Sequence, residues 1–334
     1  MVGKGFAMRR VVSVTVQHFP LAAAFRIARG AKTEAVVVVC EIADGDALGR
    51  GECVPYPRYG ETVEGVVAAI EAMRPALADG LDRAALQEAM PAGAARNAVD
   101  CALWDLEAKR SGTRASVRLG IDAPRPIETA FTLSLDEPDA MRRAAEAAAH
   151  RSLLKVKVGA PGDAARIRAV REGAPRSRLI LDANEGWSED TIRENMLAAA
   201  SVGAAMVEQP LPAGRDAILA HLPRPVPVCA DESLHDRAGL ASLLGRYDFV
   251  NVKLDKTGGL TEAHALVSEA RRLGFGVMVG CMVGSSLAMA PAVLLAQGAE
   301  IVDLDGPLLM KADREGGLVY EGSNVWPPAP DLWG

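Results

Sequence analysis

No CxxC pair occurs in this chain; its five cysteines, Cys40, Cys53, Cys101, Cys229 and Cys281, are odd in number and widely scattered. That speaks against a disulfide framework or a cysteine-rich zinc site and fits free thiols in a reducing cytoplasm. Positive charge is not in excess either. A net charge of −6 and a pI near 5.5 give no support to nucleic-acid or anionic-membrane partners. No apolar run is long enough to span a bilayer. The opening "MVGKGFAMRR" lacks the apolar core of a signal peptide and reads as a leader, with Met8 an equal candidate for the start of the folded part. None of the histidines (His18, His150, His221, His235, His264) has a partner at metal-ligand spacing, so each reads as a surface or loop residue. What remains, 49% hydrophobic and 24% charged over 334 residues, is ordinary for a globular enzyme with a large core.

The chain is written in two styles. From about residue 127 onward, short apolar runs alternate with helical-looking segments: "IETAFTLSL", "LLKVKVG", "RLILDAN", "AMVEQPL", "VPVCADE", "DFVNVKL", "GVMVGCM" and "IVDLDG". Strand alternating with helix predicts right-handed βαβ units and a parallel sheet. Eight such strands at intervals of roughly 25 residues fit a closed barrel better than an open doubly wound sheet, which stays the alternative. Before them, "RVVSVTVQHF" and "TEAVVVVCEIADGDALGRGEC" predict an antiparallel meander, and "AARNAVDCALWDLEAKRSG" predicts a helix closed by glycine. Strands followed by helices make a separate α+β domain. The expected division is 1–124 for that domain, 125–308 for the barrel, and 309–334 for an irregular tail returning to the first domain.

"LLKVKVG" places Lys155 and Lys157 on one face of an otherwise apolar strand. Lysine is seldom buried without a partner. Partners stand where other strands stop: Asp182 after "LIL", Glu208 after "MV", Asp231 after "VCA", Lys253 after "VNV", and Asp303 and Asp305 in "VDLD". The steps from 182 to 208 to 231 to 253 are 26, 23 and 22 positions, each about one βα unit. The C-terminal ends of barrel strands are where barrel enzymes carry their chemistry. Three carboxylates on adjacent strands repel one another unless a hard cation joins them, and carboxylate oxygens suit Mg²⁺. Lysines on either side of such an ion are expected to have lowered pKa values and to act as bases. A lone Asp at a strand end is ordinarily a cap or turn residue, and a lone lysine snorkels. Charges at matched positions on consecutive strands are not explained that way. Glu185, Glu189 and Asp190 read as a helix start, and Asp255 and Lys256 as residues that position Lys253 or close its strand.

"KVK", "LDANEGW", "VEQPLP", "ADES", "NVKLDKTGGL" and "DLDGP" together resemble the barrel motifs of the enolase superfamily, in its muconate-lactonising subgroup with the dipeptide epimerases. "RGECVPYPRYGET" and "PAGAARNAVDCALWDLEAKR" resemble that family's capping domain, so the likeness spans nearly the whole chain. It implies an α/β fold, an N-terminal α+β cap over a (β/α)₇β TIM-like barrel. It also implies one Mg²⁺ held by Asp182, Glu208 and Asp231, with Lys157 and Lys253 as the acid/base pair and Lys155 tuning Lys157. The implied reaction is a 1,1-proton transfer at the α-carbon of a dipeptide's C-terminal residue, through an enediolate. Asp303 and Asp305 would bind the free ammonium. The cap loops "ARGAKTEA" and "PYPRYGE" would contact the second residue, with Arg29, Arg58 and Tyr59 from the cap and Thr132 from the barrel among the substrate contacts. In epimerases acting on L-Ala-D/L-Glu a cationic residue of the first loop pairs with the glutamate. The matching position here is Lys32 rather than arginine, which keeps the charge and loses the bidentate geometry.

The resemblance further implies a cytoplasmic enzyme of murein peptide metabolism, with a small dipeptide substrate and no nucleic-acid or membrane partner, and it leaves a homo-oligomer open. Other readings share parts of this pattern. An N-acylamino-acid racemase or an o-succinylbenzoate synthase-type lyase would use the same metal and lysines. An epimerase with a non-acidic second residue would differ only in the cap. A Schiff-base aldolase would use a barrel lysine as nucleophile and need no carboxylate trio.

Overall fold

The computed structural model describes residues 9–334; the leading segment, with Met8 as the alternative start of the folded part, lies outside the described residues. Strands β1 (Val11–Ile27), β2 (Gly30–Asp44) and β3 (Ala47–Cys53) form the expected antiparallel meander. The β1–β2 ribbon runs on to the pair Ile27 and Gly30. The stretch expected as an open loop, "ARGAKTEA", is therefore the tip of a hairpin. Its register slips between Pro20 and Phe25, where proline removes a ladder donor. Helices α1 (Val63–Ala78), α2 (Arg83–Ala89) and α3 (Ala94–Ser111) cover the meander. Val38, Cys40 and Ile42 of β2 pack on Ala98, Ala102 and Leu106 of α3.

A short helix α4 (Ala115–Arg118) and strand β4 (Ile127–Glu128) lead into eight parallel strands: β5 (Phe131–Leu133), β6 (Leu153–Lys157), β7 (Arg178–Asp182), β8 (Met206–Glu208), β9 (Val228–Ala230), β10 (Phe249–Val252), β11 (Gly276–Gly280) and β12 (Ile301–Asp303). They pair in sequence order, and Ala130 N–H donates to the Val302 carbonyl at 2.9 Å, bringing the last strand back to the first. The connections carry α5 (Pro138–Ala147), α6 (Asp163–Gly173), α7 (Ile192–Ser201), α8 (Leu254–Thr257), α9 (Leu260–Arg272) and α10 (Ser286–Leu295). Two connections depart from the expected alternation. Those from β8 to β9 and from β9 to β10 hold only 3₁₀ turns, Ala217–Ala220 and Arg237–Leu243. Pro210, Pro212, Pro223, Pro225 and Pro227 crowd the first connection and Gly239 and Gly245 the second, all poor helix residues.

After β12 the tail forms a small hairpin, β13 (Tyr320–Glu321) and β14 (Asn324–Val325), which pairs with β4 at the end of the barrel where the strands begin. The tail touches the cap at both of its ends. Met310 bridges to Leu21 of β1, the Lys311 N–H donates to the Pro20 carbonyl (2.9 Å), and Arg314 bonds Gln17 (2.9 Å) and Glu52 (2.6 Å). At the other end Trp333 is buried, its indole N–H shared between the carbonyls of Arg50 (3.0 Å) and Cys101 (3.1 Å). Among the described residues no helix is long and apolar enough to cross a membrane.

Candidate active site

The site follows from strand periodicity. Leu153, Ile180, Met206, Cys229, Met278 and Ile301 form a buried apolar cluster inside the barrel, with Phe249 against it. Two residues further along each strand, side chains point inward again. Those positions are Lys155, Asp182, Glu208, Asp231, Asn251, Gly280 and Asp303, a charged layer lying directly on an apolar floor. One more step brings Lys157 and Lys253 to the mouth. In strand order β6 and β10 are four apart among eight, so these two lysines stand on opposite walls.

Lys155 lies at the centre, its Nζ 3.0 Å from Asp182, 2.7 Å from Glu208 and 2.7 Å from Asp303. Lys157 donates to Asp182 at 2.6 Å and to Asn184 at 3.2 Å. Lys253 donates to Asp231 at 2.7 Å. Sequence reasoning left Lys256 without a definite place; it is buried, bonded to an Asp231 carboxylate oxygen at 2.6 Å and to the Asn251 carbonyl at 2.9 Å. Asn251 was missed altogether. It donates to Glu208 at 2.7 Å and fits only because β11 carries Gly280, where a Cβ would stand 2.6 Å from the Asn251 amide oxygen. The signal for Asn251 was its place two residues before Lys253 on one strand.

The lowering of lysine pKa expected from the sequence is for lysines beside a bound cation; the protein groups by themselves act on Lys155 and Lys253 in the other direction. Burial pulls the Lys155 ammonium down, but Asp182, Asp303 and Glu208 outweigh it and hold it well above its ordinary value. Lys253 is likewise held up, against burial, by Asp231 and Glu208. The carboxylates themselves diverge. Despite burial, Lys155 and Lys157 draw Asp182 down, and Lys253 and Lys256 draw Asp231 down, whereas burial and the neighbouring Asp182 push Glu208 up. Such divergence marks excess negative charge: the buried carboxylates of Asp182, Glu208, Asp231, Glu232, Asp303 and Asp305 face the four buried lysines 155, 157, 253 and 256.

As placed, no three metal-ligating side chains among the described residues close on one point, because each carboxylate of the expected trio is turned to a lysine or to Asn251. The donor set nevertheless fits a hard divalent cation. It is all oxygen and buried, Asp303 Oδ1 has no hydrogen bond, and Glu208 Oε2 meets only the Lys155 ammonium, at 2.7 Å.

Above this layer is a cavity of about 430 Å³, lined among others by Lys155, Lys157, Lys253, Asp303, Asp305, Thr132 and Lys32. Thr132 presents its backbone N–H to Asp305 at 2.7 Å. Lys32 reaches over the Tyr56 ring at 5.1 Å and is lowered by burial and by Arg29. Arg29 and Arg58 line the cavity but are occupied by protein acids. Arg29 pairs with Glu185 (3.0 Å) and Glu232 (2.7 Å), and Arg58 holds Glu185 through two bonds of 2.8 Å. Glu185 does not start a helix as expected; α7 begins at Ile192, and Glu185 sits in the β7 loop with φ 70°. Tyr59 stacks on His235 at 4.5 Å and lines a neighbouring cavity rather than this one.

Comparison with known proteins agrees with this architecture. Residues 9–120 match the mandelate racemase / muconate lactonizing enzyme N-terminal domain, and residues 139–313 the enolase C-terminal domain-like family. The chain is 46% identical to an L-Ala-D/L-Glu epimerase of Escherichia coli K12, over 93% of this chain and 98% of that one. It is 45% identical to an N-acetyl-D-glutamate racemase of Pseudoalteromonas, over 89% and 95%. A crystal structure of an enolase family member from Agrobacterium tumefaciens, with homology to dipeptide epimerases and with sodium and L-Ala-L-Glu bound, superposes with a TM-score of 0.96. It shares 56% identity and covers 97% of this chain and 100% of that one. By fold, by the motifs at its strand ends and by these matches, the chain belongs to the enolase superfamily, in the mandelate racemase and muconate-lactonizing enzyme group.

Proposed function

We propose that this protein is a Mg²⁺-dependent isomerase that epimerises dipeptides at the α-carbon of the C-terminal residue, with L-Ala-D/L-Glu as the substrate pair. The observation that carries the reading is the placing of Lys157 and Lys253 on opposite walls of one cavity. Inversion at carbon requires a proton removed from one face and another delivered to the opposite face. One lysine, deprotonated, accepts the α-proton; the other, protonated, returns one from across the cavity. Lys155, fixed by Asp182, Glu208 and Asp303, keeps a positive charge beside Lys157. Asp182, Glu208 and Asp231 would hold the metal, which when bound neutralises the charge developing on the substrate carboxylate. Asp303 and Asp305 offer buried negative charge to the free ammonium, and Lys32 offers the one cavity-lining cap cation not paired with a protein acid among the described residues.

The likeness to epimerases over nearly the full chain supports the reading, as does the Agrobacterium relative with L-Ala-L-Glu bound. The division into a cap over 1–124, a barrel over 125–308 and a returning tail belongs to the same proposal, as does action on murein peptides in the cytoplasm, for which five free cysteines are suited. A second reading, racemisation of an N-acylamino acid, draws on the Pseudoalteromonas relative and on Lys155, which already occupies one oxygen of Asp303. Incubating L-Ala-L-Xaa dipeptides and N-acetylglutamate in D₂O and reading α-deuteration by mass spectrometry decides between them. Ala-Glu is expected to exchange fastest. Faster exchange of N-acetylglutamate would replace the dipeptide reading.

A further inference from the structure

Residues bent into unusual backbone shapes are concentrated at one place. Among the described residues, the only non-glycine residues with positive φ are Asn184 (44°), Glu185 (70°) and Gln209 (34°), all just past the ends of β7 and β8. Non-glycine residues adopt this region at a cost and keep it where surrounding contacts over-determine it. For Glu185 those contacts are visible. Its carboxylate accepts from Arg58 Nε and Nη2, each at 2.8 Å, from Arg29 Nη1 at 3.0 Å and from the backbone N–H of Ala213 at 2.8 Å. Arg29 lies at the tip of the β1–β2 hairpin, and Arg58 lies in the 3₁₀ turn Pro57–Tyr59 that follows β3. One barrel carboxylate thus receives a guanidinium from each of the two cap segments that overhang the cavity. Arg29 adds a second bond to the barrel at the Asn184 carbonyl (2.7 Å), and its bond to the Tyr56 hydroxyl (3.0 Å) ties the two cap segments to each other.

We infer that Glu185 is the positioning residue that fastens both cap segments over the cavity, with Arg29 and Arg58 as its partners rather than contacts for the substrate side chain. The inference rests on the epimerase reading for the substrate, but not for the fastening itself. Both guanidiniums have little left to offer an acidic substrate: Arg58 is bidentate to Glu185, and Arg29 divides its donors among Glu185, Glu232, the Asn184 carbonyl and the Tyr56 hydroxyl. Lys32 differs, resting on an aromatic face with no acid bonded to it among the described residues. The two kinds of cation therefore predict two kinds of defect. Loss of the fastening disturbs every substrate equally, whereas loss of Lys32 disturbs acidic substrates selectively.

The test begins without substrate. Amide hydrogen exchange is compared in the wild type and in the Glu185→Gln and Glu185→Ala variants. Segment 56–60 is expected to exchange at least about tenfold faster in Glu185→Ala, and segment 27–32 faster by a smaller factor because Glu232 still holds Arg29. Both should respond less in Glu185→Gln, which can still accept from Ala213. The barrel strands serve as an internal control for folding and should keep their protection. In turnover assays Glu185→Ala should raise KM about tenfold for Ala-Glu and for a neutral dipeptide alike, with kcat changed far less. Adding Arg58→Ala to Glu185→Ala should change little further, since the partners share one interaction. Unchanged exchange at both cap segments overturns the fastening role, whatever the substrate proves to be. A KM defect confined to acidic substrates overturns it too, and returns Arg29 and Arg58 to substrate recognition. If the wild type turns over no dipeptide, the epimerase reading fails while the exchange experiment still judges Glu185.

Discussion

At the scale of single residues, the charged layer was legible because strands have a period of two and barrel units a period near 25 residues. Lys155, Lys157, Asp182, Glu208, Asp231, Lys253, Asp303 and Asp305 announced themselves by standing at matched positions, and the structure gathers them into one buried layer and mouth. Glu185 gave no such signal, since a carboxylate shortly before a helical segment is ordinarily a helix-start residue; only the three-dimensional approach of Arg29 and Arg58 shows its partners. The opposite placing of the two lysines leads to a stereochemical prediction. Lys157→Ala and Lys253→Ala should each abolish epimerisation, yet each should still exchange the α-proton of one epimer with solvent, and the epimer should differ between them. Exchange of the same epimer by both variants, followed by NMR in D₂O, would place the lysines on one side. Lys32 allows a milder test. Lys32→Ala should raise KM for Ala-Glu more than for Ala-Leu, by about tenfold or less for a flexible, partly exposed point charge.

At the scale of elements, all eight barrel strands could be read from apolar runs, whereas two of the connecting helices could not, because proline and glycine leave only 3₁₀ turns there. How the cap helix α3 meets the barrel was also hidden, since it depends on a pairing between distant positions. Asp100 of α3 accepts from the Thr261 backbone N–H (2.9 Å) and hydroxyl (2.6 Å) at the start of α9, where Gly259 leaves no side chain against it; a Cβ there would lie 2.4 Å from that of Asp100. Burial pushes the Asp100 carboxyl up to about 6, although Thr261, Arg83 and Arg96 work against it. Its unfolded value is near 3.8, so between about pH 4 and 6 the folded state holds a proton that the unfolded state has released. This group's contribution to stability is therefore present below pH 4 and lost as pH rises through 6. Asp100→Asn, which keeps an acceptor for Thr261, should remove that slope. Relative to wild type it should gain on the order of 3 kcal/mol or less between pH 4 and 7 in denaturant titrations. An unchanged difference across that range would show that Asp100 titrates normally.

At the scale of the molecule, the cap supplies two segments that overhang the cavity, while the barrel supplies a layer of charge that it can hold only in part by itself. With Glu232 paired to Arg29, four lysines still do not neutralise the other five carboxylates, and Glu208 and Asp305 are pushed upward, through burial first and then through Asp182 and Asp303 respectively. Repulsion of this kind is a cost to folding that a bound divalent cation relieves, so metal and stability should be linked. Protein stripped with chelator should lose turnover and regain it with Mg²⁺. At a free Mg²⁺ concentration about 100 times the dissociation constant, the folded state should gain roughly 2.7 kcal/mol, seen as a rise in Tm. Asp182→Asn, Glu208→Gln and Asp231→Asn should each suppress that rise as well as activity. Each also removes a negative charge from the crowded layer, so the metal-free variants need not be less stable than metal-free wild type, most clearly for Glu208→Gln, whose carboxyl is already the one pushed up. Lys253→Ala supplies the contrast: it should lose epimerisation while keeping the Mg²⁺-dependent rise in Tm, because its ammonium is a partner of Asp231 rather than a donor to the metal. Equal Tm values with and without Mg²⁺ in an active wild type would detach the metal from these carboxylates. Full activity in thoroughly stripped protein would remove the metal from the reaction itself.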